Sequence, residues 1–212
     1  TCLVIEPGQT EHQIAAQMME RLVSQGIVPL VVLVGTDERI SQFRHPIPTN
    51  KRLDKFAMLV LCARQAGLLV AVTRLVHFGA LPPELRKKHD AVVRIDATLI
   101  SQTRVGACVG DILAKGISVY ELEGYASEWR LHHQGGPCGY ASREYLAVPG
   151  CKEIVQPNQP FAWNPSITGT KSEDTILTSD QGVEVITTTD DWPMVDVEVD
   201  GRIYTRPEIL IR

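Results

Sequence analysis

In the stretch LHHQGGPCGY, His132 and His133 stand shortly before Cys138 in a glycine-rich run. A thiolate activated by a neighbouring imidazole is a nucleophile, so this trio is one candidate constellation. The other reading is a packed thiol, with the paired histidines bonded within the glycine loop. A second stretch, FAWNPSITGTKSEDTIL, sets Asn164, Ser166, Thr168, Thr170, Ser172 and Glu173 close together. That is polar for a central pair of strands, and buried polar groups need partners, so a ligand, water or arginines should fill the space they face. Arg44, Arg74 and Arg143 are suited to clamp a carboxylate or oxyanion, because the guanidinium fork pairs with two oxygens at once. For Arg74 a structural bond to a carbonyl fits as well. Glu173 and Asp174 adjoin, but alternation along a strand sends them to opposite faces, so they should not share an ion.

These groups must be carried by regular elements, and the sequence marks most of them. Thr10 and Gln13 form a capping-box pattern, and Ile14, Met18 and Leu22 recur behind it until Gly26, which predicts a helix. PLVVLVG reads as a strand and TDERISQFRHPIPTNKR as a polar loop after it. AMLVLCA (57–63) and GLLVAVTRLVHF (67–78) read as a hairpin packed on both faces. Pro82 and Pro83 open a helix that runs from Glu84 to about Gln102. The second half repeats the order: a helix over 109–122, a strand near Trp129 to Leu131, then strands at 161–167 and 175–178. Two facing halves, about 1–106 and 107–180, would enclose a pocket, with Trp129 and Trp163 as wall or core. The tail, 181–212, reads as a half-exposed hairpin turning at Asp200 and Gly201.

Composition bounds the partners. With 44% apolar residues and a net charge of −4, the chain can bury a full core and has no basic stripe for nucleic acid or membrane. Five cysteines without a CxxC pair fit neither a disulfide framework nor a zinc site, which predicts a reducing, cytoplasmic home. No apolar run approaches the roughly 20 residues that span a bilayer, and the first residues show no secretory signal. A small-molecule or peptide-like ligand is the expected partner.

Five phrases, in order over nearly the whole chain, resemble the creatinase, prolidase and methionine-aminopeptidase family (peptidase M24). EPGQTEHQIA is similar to the family's "pGmTE" helix entry, RHPIPTNKRL to its "HHxPT" loop and AVTRLVHFG to "sDiTRtfxxG". LHHQGGPCGY stands where relatives have "hhtGHGiG", and FAWNPSITGTKSEDTIL where they have "ftiEP…riEDTvl". The resemblance implies an α/β pita-bread fold of two pseudo-symmetric halves, with a pair of divalent metals held by two aspartates, a histidine and two glutamates. In register, those five ligand positions fall on Val60, Ala71, Gly136, Asn164 and Glu173, of which only Glu173 is a ligand of the expected kind. No Asp or Glu lies between Lys55 and Leu81, so a slip of register does not restore the aspartates. One carboxylate does not offset two cations, so no family metal is expected.

Creatinase is the family's precedent for metal-free cleavage of a C–N bond. By that resemblance His45 is the general base and Glu173 orients it or binds a cationic nitrogen. Arg44, Arg74, His132, His133, Arg143 and Asn164 are then the expected substrate-binding residues. Three functions follow as expectations: a metal-independent hydrolase of a small amidino, amide or peptide-like C–N substrate; an inactive binding relative; or, by overall resemblance alone, an Xaa-Pro dipeptidase or aminopeptidase. Many relatives close their site with a partner's N-terminal domain; here the chain enters almost directly at the first phrase, so a homodimer would have to use other surfaces.

Overall fold

The computed structural model describes residues 1–212. Thr10 caps α1 (Glu11–Val23), and both halves of the capping box form: the Thr10 hydroxyl accepts from the Gln13 N–H and the Gln13 side chain accepts from the Thr10 N–H. Ile14, Ala15 and Met18 of α1 are buried on β1 (Val28–Thr36) and its neighbours. α2 (Glu38–Gln42) is a short helix inside the segment read from sequence as a polar loop. β2 (Phe56–Gln65) and β3 (Leu68–His77) form the expected hairpin, turning at Ala66 and Gly67, both at positive φ. α3 (Pro83–Gln102) and α4 (Val109–Leu122) follow and pack on each other.

The second half departs from its expected order at two places. Glu128–Leu131 is a turn of 3-10 helix rather than a strand; it ends at His132, where the backbone becomes extended. The 161–167 strand is broken: β5 (Pro160–Trp163) stops before Asn164 and Pro165, whose ring removes a ladder donor. Ser166–Ile167 (β6) then pairs with Thr170–Lys171 (β7) as a small hairpin. In chain order the strands of this half are β4 (Gly135–Pro137), β5, β6, β7, β8 (Asp174–Ser179) and β9 (Gly182–Val185). β4, β5, β8 and β9 form one sheet in that order. β9 therefore completes this sheet rather than opening a separate tail. β10 (Met194–Val199) and β11 (Arg202–Pro207) are the expected half-exposed terminal hairpin, and β12 (Leu210–Ile211) joins the first sheet, parallel to β3.

The two sheets meet along β3 and β8. The Ala71 N–H donates to the Thr175 hydroxyl at 2.7 Å, that hydroxyl donates to the Ala71 carbonyl at 2.9 Å, and the Thr73 N–H donates to the Glu173 carbonyl at 3.1 Å. The largest apolar cluster lies between α3, α4 and the second sheet, and includes Leu99, Leu113, Tyr120, Phe161 and Trp163. Trp163 is thus a core residue, with its indole N–H donating to the Thr103 hydroxyl at 2.8 Å. A second cluster joins α1 to the first sheet. The seam between them is where polar side chains gather.

Candidate active site

The loop that carries His45 is held from beneath by a buried carboxylate. Glu11, at the first position of α1, is fully buried and accepts from the Thr36 N–H, the Arg39 Nε and the Thr49 N–H and hydroxyl, at 2.7–3.0 Å. Asp37, at positive φ, accepts from the N–H groups of Asp54, Lys55 and Phe56. Helix entry, end of β1 and start of β2 are thereby fixed around the RHPIPT turn. Arg44 reaches across to the other half, where it pairs with Glu128 and donates to Thr168 at 2.8 Å and Ser166 at 3.3 Å. It ties the His45 loop to the second half and does not line the central pocket.

The partner histidines are placed by Gln134, whose amide donates to the carbonyls of His132 (2.8 Å) and Trp129 (3.0 Å) and accepts from the Tyr120 hydroxyl (2.9 Å). His132 Nε2 then lies 3.0 Å from His45 Nε2, and the ring centres of His132 and His133 are 4.4 Å apart. Gly135 and Gly136 follow at positive φ. A Cβ on Gly136 would lie 2.4 Å from the Tyr145 carbonyl oxygen, so the backbone here is closed to a side chain.

A pocket of about 100 Å³ lies at the seam, lined by His45, His133, Val60, Cys62, Arg143, Asn164, Lys171 and Glu173, among others. Its centre is Glu173, almost fully buried. One carboxylate oxygen accepts from Arg143 at 3.0 Å; the other takes Lys171 Nζ at 2.9 Å and the Thr73 hydroxyl at 2.6 Å. Burial pushes the Glu173 carboxyl up, but Lys171, Arg143 and the Thr73 bond outweigh it and bring its pKa down to about 2. Lys171 is itself buried. Burial first, then the Lys171 charge and, for His45 and His133, the Arg143 charge, lower the histidines too: His45 is lowered, His133 falls to about 4 and His132 to about 2. All three imidazoles are neutral at pH 7, and the His45–His132 bond engages the lone pair of one of the two.

Of the expected substrate-binding residues, the fold brings His133, Arg143 and Asn164 to the pocket beside His45 and Glu173, with His132 bonded to His45 at its edge. Arg74 is elsewhere: it pairs with Asp174 at 2.8 Å and donates to the carbonyls of Thr73 and Thr187. The polar stretch splits by alternation. Lys171 and Glu173 face the pocket, whereas Ser172 bonds Asp96, and Asp174 pairs with Arg74 and Arg206 on the opposite side. The Ser166 and Thr170 hydroxyls are likewise taken up by Arg44 and His89. Cys138 is packed with Cys62, Leu69, Ala71 and Ala162, and burial raises its thiol to about 11, so the nucleophile reading gives way to the packed one. Lys171 escaped the sequence reading, although its place two residues before Glu173 on one strand face was the available signal.

Two sheet-based halves enclosing a central polar pocket define the pita-bread fold. An X-Pro aminopeptidase of Thermotoga maritima has it: its crystal structure superposes with a TM-score of 0.81 at 17% identity, over 100% of this chain and 58% of that one. A sequence profile of metallopeptidase family M24 matches residues 2–188, and the chain belongs to that family. An uncharacterized peptidase of Staphylococcus saprophyticus is 23% identical over 193 residues, 86% of this chain and 55% of the relative. The agropine synthesis cyclase of Rhizobium rhizogenes is 27% identical over 140 residues, 62% of this chain and 35% of the relative. The chain thus spans about half the length of the staphylococcal peptidase.

The family's name implies metal, and the residues present can be tested for it. Val60 lines the pocket with a hydrocarbon, Ala71 is packed among apolar neighbours, and Gly136 has neither a side chain nor room for one. Asn164 is neutral, and both oxygens of Glu173 are engaged by Lys171, Arg143 and Thr73. These five positions do not fit a pair of divalent ions. His45, His132 and His133 are a separate group of nitrogen donors, so the pocket is not devoid of metal-binding side chains. No helix is long and apolar enough to cross a membrane.

Proposed function

We propose that the chain hydrolyses a C–N bond in a small, carboxylate-bearing amidino or amide substrate, without the paired metal centre after which its family is named. One observation carries this reading: Glu173 lies between two cations, buried Lys171 and partly buried Arg143, so the pocket keeps an excess positive charge. A substrate carboxylate is the group that would complete it, held by the Lys171 ammonium and the Arg143 guanidinium. His45, neutral and exposed at the mouth, takes a proton from water; the water oxygen adds to the substrate carbon, the C–N bond breaks, and the proton passes to the leaving nitrogen. A volume of about 100 Å³ is small beside the roughly 300–1,000 Å³ of ordinary ligand pockets, which favours a compact substrate over a peptide. The name of the Rhizobium relative, a cyclase of agropine synthesis, supports small-molecule chemistry; the names of the staphylococcal and Thermotoga relatives support amide chemistry. Five free cysteines are in keeping with a cytoplasmic setting.

The test is a panel of amidino and amide carboxylates, assayed in chelator with the His45→Ala and Lys171→Met variants. The expected result is turnover that falls about 10²- to 10⁴-fold in His45→Ala and shows a raised KM in Lys171→Met. Turnover that requires two equivalents of manganese or cobalt would overturn the reading. A second reading, ligand binding without turnover, is favoured by the 3.0 Å bond that engages His45 Nε2 with His132. It predicts saturable carboxylate binding, weakened in Lys171→Met, and no product.

A further inference from the structure

The ion pairs around Glu173 leave the histidines at the pocket mouth unexplained. His45, His132 and His133 each bring one ring nitrogen, and these atoms all lie within 4.8 Å of one another. A single hydrogen bond joins them, Nε2 to Nε2 between His45 and His132. Nδ1 of His132 and Nδ1 of His133 are both buried without a partner. Buried polar atoms are nearly always satisfied, so the His133 nitrogen points to a missing companion; His132 would meet the same ion through the Nε2 that now bonds His45, or through its unpartnered Nδ1 after a ring flip. We propose that the three imidazoles hold one transition-metal ion of the zinc or cobalt kind, at a place separate from the family's five ligand positions.

The geometry is near what such an ion needs. Tetrahedral coordination with metal–nitrogen bonds of about 2.0–2.1 Å sets the nitrogens about 3.3 Å apart. The observed 3.0 Å pair, and a third donor within 4.8 Å, reach this by small ring rotations. Three histidines leave a fourth position open, the arrangement of a reactive rather than a closed site. Nitrogen donors without a carboxylate suit zinc, cobalt, nickel or copper and reject magnesium and calcium, which require oxygen. Lys171 and Arg143 oppose a bare dication, and Glu173 is already spent on them. The ion is therefore held together with an anion in the open position, and a carboxylate is the fitting anion because Lys171 lines the same pocket as His45 and His133. Metal and carboxylate should each strengthen the binding of the other. The site stands whether or not hydrolysis occurs: with the ion bound His45 is a ligand, and without it His45 is free to accept a proton.

The probes are Co²⁺ and Zn²⁺, added to chelator-stripped protein and read by visible absorption, elemental analysis and calorimetry. The expected result is one equivalent, with the intense visible bands of tetrahedral cobalt, tightened about fivefold or more by saturating acetate. His133→Ala and His45→Ala should each weaken binding at least tenfold, whereas Asn164→Ala, at a family ligand position, should leave the stoichiometry at one. His45 is exposed, so its variant keeps the test open should a change at buried His132 prevent folding. No bound ion, two equivalents lost together in Asn164→Ala, or binding unaffected by the histidine changes would each overturn the proposal; acetate that competes with cobalt would overturn its anion part. Because the readout is binding, failure here is distinct from failure of the hydrolytic reading, which is scored by turnover in chelator.

Discussion

Replacing Glu173 by glutamine removes the carboxylate charge and leaves buried Lys171 and partly buried Arg143 without their shared anion. The stability at stake can be worked from the carboxyl itself, whose pKa is drawn from 4.5 down to about 2 in the fold. At about 1.4 kcal/mol per pH unit, that is about 3 kcal/mol. Breaking a buried ion pair by deleting one partner costs about 3–5 kcal/mol, which agrees. Because the folded-state value is depressed, this stabilisation is complete above about pH 4.5 and is lost as the pH falls towards 2. Urea unfolding of wild type and Glu173→Gln should therefore differ by about 3–5 kcal/mol at pH 7. The difference should narrow by about 2 kcal/mol at pH 3, because the carboxyl of the unfolded chain, at its ordinary value of 4.5, has taken up a proton while the folded one is still mostly ionised. In a chain of this size the pH 7 difference corresponds to a fall in Tm of about 6–20 °C. A difference below about 1 kcal/mol, the level of an exposed pair, or one of equal size at both pH values, would refute the claim that this carboxylate is the charge centre of the pocket.

Other perturbations test the surroundings. Gly136→His, which restores the family residue, forces a Cβ to within 2.4 Å of the Tyr145 carbonyl oxygen at φ +151° and should cost at least about 2 kcal/mol in a denaturation curve, without gain of a second metal. Arg206, buried between Asp96 and Asp174, pins β11 to α3 and β8; Arg206→Met should destabilise by about 3–5 kcal/mol in thermal melts, with Arg206→Lys intermediate. Burial raises the Cys62 and Cys138 thiols to about 11, so both should resist thiol reagents in the native protein and react after unfolding; native labelling of Cys138 would revive it as a nucleophile.

Local rules read from the sequence placed α1, the β2–β3 hairpin, α3, α4 and the terminal hairpin, because each is marked by caps, periodicity or turn residues that act over a few positions. The same order of phrases disclosed the fold and the absence of two aspartates, since a missing residue type is visible without coordinates. The segments misread were those without periodicity. The turn at Glu128–Leu131 is fixed by contacts of Glu128 with Arg44 and Thr168, far along the chain, and the break after Trp163 by Asn164 and Pro165.

The roles of the polar side chains were a tertiary matter. Arg44, Arg74 and Arg143 are equally good clamps on paper, yet only Arg143 reaches the pocket, because Glu128 and Asp174 lie where the other two guanidinium groups end. Lys171 acquired its place through the strand face it shares with Glu173. His45 and His132 stand far apart in sequence and meet only because Glu11 and Gln134 hold their two loops against one seam. Residue types and short-range spacing thus determined the elements and the loss of family ligands. Which charges neutralise one another, and which remain for a ligand, was decided by long-range packing, because electrostatic pairing depends on separation in space and not along the chain.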